Sequence, residues 1–246
     1  MTQDWIEPDW PAPPRVRGLV TTRNGGVSTG PYASMNLGLH VGDSVADVQH
    51  NRALLRRCLP GEPAWLEQVH GVAVADADAD RSGAPACADA SVARRPGAVC
   101  AVMTADCLPV LFCNDEGSVV AAAHAGWRGL AAGVLDATLA RMGVPAATVM
   151  AWLGPAIGPA AFEVGDEVRE AFVAADRAAA IAFRPAAGAG KWMADLFLLA
   201  RLRLARLGVA RAYGGGLCTH ASRERFFSYR REGITGRFVS MVWLAP

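Results

Sequence analysis

Cys107 and His124, two residues able to do chemistry, stand at comparable distances from one turn. That turn, Asn114-Asp115-Glu116-Gly117, separates the apolar run Val110-Leu111-Phe112 from Val119-Val120-Ala121-Ala122-Ala123. Short Val- and Ala-rich runs flanking such a turn predict a hairpin of buried strands. Residues equidistant from a hairpin turn are neighbours across it. The thiol and the imidazole are therefore expected at the same end of the sheet, where such a pair can bind a metal or act as nucleophile and base. The plain alternative is a buried structural cysteine beside a satisfied histidine. A third residue, His70, follows Trp65-Leu66-Glu67-Gln68-Val69 and precedes Gly71, which reads as a strand ending on a turn. Two histidines and one cysteine leave one tetrahedral position open, the pattern of catalytic rather than structural zinc.

The elements that must hold these residues are legible in outline. Residues 98–103 read as a buried strand leading into Cys107. After His124, Leu130, Val134, Leu135, Leu139 and Met142 recur on one face and predict a single helix over residues 127–142. Its positive end would point at the site, carrying Arg128. Upstream, a strand over residues 16–22 leads into the glycine-rich loop around Arg23, which can present backbone amides and a guanidinium to an anion or can simply be a loop held by a salt bridge. Asp43 or Ser44 caps a helix over residues 45–59. Downstream come a strand over 149–153, a helix over 166–175, and a second helix beginning at Met193 or Ala194 and running to Leu207. The last of these carries Arg201, Arg203 and Arg206 on a solvated face. Two closing strands are expected, one at 226–231 and one at 236–244. Asp106 either orients a metal ligand from behind or caps a strand end. His220 reads as structural. Asp76, Asp78 and Asp80 alternate but lack the remainder of a calcium loop, so they read as solvated charge.

The bulk properties exclude several classes. The chain has 246 residues, is 52% hydrophobic and carries a formal net charge of +1. There is no broad basic field for nucleic acid. No apolar run is long enough to cross a bilayer, and the first residues do not begin a signal peptide. Six cysteines show no paired spacing, so reduced thiols and a cytoplasmic setting are expected. No repeat or linker divides the chain, which predicts one α+β domain over residues 1–246.

The motifs taken together resemble the YfiH family, also called the laccase-domain or polyphenol oxidase family. They are Thr21-Thr22-Arg23-Asn24-Gly25-Gly26, Ser34-Met35-Asn36-Leu37-Gly38, Gln68-Val69-His70-Gly71, Met103-Thr104-Ala105-Asp106-Cys107-Leu108-Pro109, His124-Ala125-Gly126-Trp127-Arg128-Gly129, Leu153-Gly154-Pro155-Ala156-Ile157-Gly158 and Phe226-Phe227-Ser228-Tyr229-Arg230-Arg231, in family order. The resemblance implies a single domain of α/β/β/α layering with mixed sheets, shared with the catalytic domain of cytotoxic necrotizing factor toxins. It also implies zinc, with copper as the alternative metal, bound by His70, Cys107 and His124.

The family's implied activities differ. Some members are described as phosphorylases of adenosine, inosine, guanosine and methylthioadenosine that also deaminate adenosine. Others are described as copper-dependent polyphenol oxidases, or as editing enzymes that remove misincorporated L-serine from a cell-wall precursor. Multicopper oxidation needs many histidine ligands, and the chain has five. A one-metal centre suits purine chemistry better. On that reading His70, Cys107 and His124 are catalytic, the substrates are a purine nucleoside and phosphate, and Arg23, Asn36 and Arg128 are the candidate substrate-binding residues. The rival is a metal-free cysteine hydrolase with Cys107 as nucleophile and His124 as its base.

Overall fold

Strands buried on both faces dominate the structure, a computed structural model that describes residues 4–79 and 83–245. Leu108–Asn114, Val120–Ala125, Val99–Thr104 and Val149–Leu153 are buried at every position. Side chains alternate across a strand, and here each alternate set enters a different core. Leu108, Val110 and Phe112 pack toward helices, whereas Leu111 and Cys113 pack toward a second sheet. Cys100 and Val102 meet them there, and Val99, Ala101 and Met103 face the opposite way, onto Leu55 and Leu59.

Three cores between four layers follow. The helix Val45–Arg56 covers a four-stranded sheet ordered Val16–Val20, Phe238–Leu244, Val99–Thr104, Pro63–Ala64. That sheet packs on a six-stranded one ordered Arg211–Gly214, Val149–Leu153, Leu108–Asn114, Val120–Ala125, Ala90–Ala93, Val74–Asp76. The far face of the six-stranded sheet is covered by Trp127–Ala132, Val134–Met142, Asp166–Ala175 and Leu196–Arg206. Both sheets mix parallel and antiparallel pairs. This is the α+β class expected from the sequence, with the α/β/β/α layering that the family resemblance implies. All six cysteines are free thiols. Among the described residues no helix is long and apolar enough to cross a membrane.

Several elements depart from the sequence reading. The helix expected over 127–142 is two helices, because Gly133 adopts φ +102° between them. That left-handed geometry is open to glycine and strained for other residues. The stretch 226–231 is no strand. Phe226 and Phe227 are fully buried in the inter-sheet core, and Ser228 then caps a short helix, Tyr229–Glu232, by accepting from Arg231 N. Met193 and Ala194 belong to the strand Lys191–Ala194, and the following helix starts after its cap Asp195. Of its arginines, Arg206 is exposed as expected, but Arg201 and Arg203 are less solvated. Arg203 makes two 2.7 Å bonds to Asp136, and Arg201 caps the carbonyls of Ala212 and Gly214. Of the alternating acids, Asp76 and Asp78 hold neighbouring backbone and arginine groups; Asp80 lies outside the described residues.

Candidate metal centre

The hairpin delivers two of the three donors. Its strands pair with Leu108 opposite Ala125 and Pro109 opposite His124. Cys107 therefore sits at the same sheet end as His124, as the turn spacing predicted. The third donor arrives on a turn. His70 has φ +61°, a conformation few non-glycine residues adopt. The carboxylate of buried Asp89 holds that turn, accepting from the N–H groups of Val69 (3.2 Å), His70 (2.9 Å) and Gly71 (2.7 Å). The same carboxylate lies 2.8 Å from His124 Nδ1.

The result is a compact donor set. The imidazoles of His70 and His124 meet edge to face at 4.8 Å between centroids, and Cys107 Sγ lies 3.7 Å from His70 Nε2. One ligand atom from each of the three residues lies within 4.8 Å of the other two. Gly126 makes the approach possible, since a Cβ there would stand 2.8 Å from Cys107 Sγ and 3.0 Å from His70 Cδ2. The first helix after His124 begins three residues on, at Trp127, with Gly126 as its cap.

The electrostatics favour a thiolate. Burial alone raises the Cys107 thiol, but the imidazoles of His124 and His70 outweigh it and hold the group down at about 6. Burial opposes protonation of His124, yet Cys107 and the Asp89 hydrogen bond push it up to about 9. Asp89 is held below its ordinary range despite its burial, by His124 and the turn amides. A thiolate, with imidazoles that release their ligand-side proton when an ion binds, is what a soft-to-borderline divalent metal requires. The set thus suits zinc or copper. The thiolate beside His124, itself held by Asp89, equally has the layout of a nucleophile with an oriented base.

The donors form one wall of a cleft of about 590 Å³. Arg128, Arg230 and Arg237 also line it. Arg128 stacks on Trp127, Arg230 Nη1 donates to Glu163 O, and Arg237 Nη1 donates to the carbonyls of Thr235 and Gly236. The only carboxylate among the described lining residues, Asp106, is already engaged by the Thr219 hydroxyl (2.6 Å) and Arg230 N (2.7 Å). A neighbouring hollow of about 450 Å³ shares His40, Gln68 and Met103 with the cleft but carries none of the three converging donors.

The sequence candidates divide. His70, Cys107, His124 and Arg128 come together. Arg23 does not line the cleft: its guanidinium bonds Glu232 at 2.8 Å and the carbonyls of Ala33 and Arg223, and it stacks on Phe227. Asn36 is fully buried. It donates to Asp43 and Gly38 O, and its Oδ1 accepts Arg237 N at 2.8 Å, so it touches the cleft only through Arg237. Asp106 anchors the Tyr229–Glu232 helix, and its side-chain bonds go to Thr219 and Arg230 and to none of the three donors. His220 gives its carbonyl to Arg231. Asp89, Arg230 and Arg237 were not singled out from the sequence. The available signal for Asp89 was a lone acid in the small apolar run Ala88-Asp89-Ala90-Ser91-Val92. The two arginines lie in or beside aromatic and apolar stretches whose residue types favour strands, which conceals them as cleft-lining groups.

Comparison with known proteins agrees across nearly the whole chain. A purine nucleoside phosphorylase of Pseudomonas aeruginosa is 58% identical over 98% of both chains. The purine nucleoside phosphorylase YfiH of Escherichia coli is 53% identical over 97% of this chain and 98% of its own. The crystal structure of a Neisseria meningitidis protein superposes with a TM-score of 0.94 at 52% identity, covering 99% of this chain and all of that one. YlmD of Geobacillus stearothermophilus superposes with a TM-score of 0.89 at 30% identity, covering 100% of this chain and 98% of its own. The family model described as multi-copper polyphenol oxidoreductase laccase matches residues 17–245. With its metal-capable corner set in this shared fold, the chain belongs to that family, in the YfiH branch.

Proposed function

We propose that this chain is a zinc-dependent purine nucleoside phosphorylase acting on adenosine, inosine, guanosine and methylthioadenosine, with adenosine deaminase activity. The observation that carries the reading is a His, Cys, His donor set in the wall of a cleft whose other charged groups are mostly guanidiniums. The names of the similar proteins support the nucleoside half. His70, Cys107 and His124 would hold the metal. Bound there, zinc supplies Lewis acidity toward water or a polar substrate atom. The chain's own groups do the remainder. Arg128, Arg230 and Arg237 offer charge-assisted hydrogen bonds to phosphate. Trp127, Phe162 and Tyr229 supply an aromatic lining against which a purine can stack. In phosphorolysis a phosphate oxygen bonds C1′ as the C1′–N9 bond breaks, and the base leaves with the bonding pair.

The multi-copper description does not transfer to the ligand count. Of five histidines only His40, His70 and His124 line the cleft, fewer than a trinuclear cluster plus a blue-copper site needs. The second reading is the metal-free cysteine hydrolase, favoured by the bond that His124 Nδ1 donates to Asp89 beside Cys107. Product chromatography from adenosine and inosine across a phosphate titration separates these readings. Phosphate-dependent release of free base together with ribose 1-phosphate is expected, with deamination of adenosine to inosine little changed by phosphate. Phosphate-independent base release would show a hydrolase. No turnover of either nucleoside by zinc-loaded protein would overturn the proposal.

A further inference from the structure

We infer that Asp89 is the positioning residue of the metal corner, setting both imidazole ligands through one carboxylate. The inference rests on reading His70, Cys107 and His124 as metal ligands. Four N–H donors converge on the two oxygens of Asp89. Oδ1 takes His70 N at 2.9 Å and His124 Nδ1 at 2.8 Å; Oδ2 takes Gly71 N at 2.7 Å and Val69 N at 3.2 Å. The backbone carbonyl of Asp89 also accepts His124 N at 2.7 Å. The residue is wholly buried.

Two consequences follow from donor chemistry. A carboxylate acceptor at Nδ1 holds a proton on that nitrogen, which leaves Nε2 as the nitrogen His124 can give up to a metal. Three amides gathered on one side chain hold His70 at a positive φ that its own side chain disfavours. Loss of Asp89 therefore misplaces both imidazoles together, although Asp89 does not line the cleft. Asparagine cannot replace it, because its single amide oxygen would meet only part of the donor set while its NH₂ faced further N–H groups.

The test is Asp89→Asn, with zinc affinity measured by competition against a chromogenic chelator and folding followed in excess EDTA. The expected result is a folded variant whose zinc affinity falls by ~10–100-fold, the range for groups that support metal ligands. The thiolate-to-metal absorption of its cobalt form should also shift. A folded Asp89→Asn with wild-type zinc affinity and cobalt spectrum overturns the inference and leaves Asp89 a purely structural residue. If the variant does not fold, ¹⁵N NMR of zinc-loaded wild-type protein decides: His124 protonated at Nδ1 and metal-bound through Nε2 supports the role, and the reverse arrangement overturns it. Wild-type protein that takes up no zinc overturns the metal reading itself, and this role with it.

Discussion

Two corners of this molecule are built on the same plan and end differently. In each, one acid gathers several donors, at least one of them from a distant part of the chain. Asp89 collects three amides and an imidazole. Glu232 collects Arg23, Arg231 and the Thr235 hydroxyl. The Asp89 corner leaves three ligand atoms facing a cleft. The Glu232 corner closes on itself, and Arg23 is engaged by Ala33, Arg223 and Glu232. Residue types alone make both look functional. The difference is that the Asp89 corner brings its ligand atoms to the wall of a cleft, whereas Arg23 is turned inward onto its protein partners.

The sharpest way to break this comparison is Cys107→Ala. Supporting groups around metal ligands are worth ~10–100-fold, so losing a ligand should exceed ~100-fold in turnover and remove most of the bound zinc. Metal analysis and steady-state assays check this. Full activity in metal-free protein combined with a dead Cys107→Ala would favour the hydrolase.

Arg237→Ala comes next. Its remaining N–H groups meet no acceptor among the described residues, and its chain is held by Asn36. Hydrogen bonds to charged groups are worth ~1.5–3 kcal/mol, so the KM for phosphate should rise by roughly 10–100-fold, with deamination largely kept. Equal loss of both activities would refute a phosphate role. Arg23→Ala should do the reverse. Breaking a mostly buried pair leaves Glu232 short of its partner, and with both side chains 15% exposed a cost of about 2 kcal/mol is expected, below the ~3–5 kcal/mol of a fully buried pair. Thermal unfolding should register it, with the KM for phosphate unchanged.

The smallest effect is a pH dependence. Burial would raise the Glu232 carboxyl, but Thr235, Arg23 and Arg231 hold it down to about 2, below its ordinary 4.5. A depressed carboxyl stabilises the fold above the unfolded-state value and loses that contribution as pH falls toward 2. Unfolding midpoints between those limits should therefore slope less in Glu232→Gln than in wild type.

What the sequence made legible was local or periodic. The hairpin register around Cys107 and His124 followed from distance to a turn, and the buried strands followed from unbroken apolar runs. The helix break at Gly133 was present as a glycine but masked by an apolar face continuing from Leu130 through Met142. Phe226 and Phe227 favour strands, yet their rings fill the inter-sheet core from an irregular segment. Asp89 was beyond local reading, because it acts on a turn about twenty residues upstream and on a histidine thirty-five residues downstream. Arg23 misled for the opposite reason: its glycine loop resembles an anion site, and its partners lie about two hundred residues away.

The placement of His70 has a dynamic consequence. Cys107 and His124 hang on strands buried along their whole length, which should exchange amide hydrogens only through the largest openings of the fold. His70 sits exposed on a short turn outside any strand. The corner thus joins two ligands on deeply buried strands to one on an exposed turn pinned by Asp89 and Met103. On the metal reading, exchange of an ion should require those hydrogen bonds to break, the 68–71 turn opening while the hairpin keeps its two ligands in place.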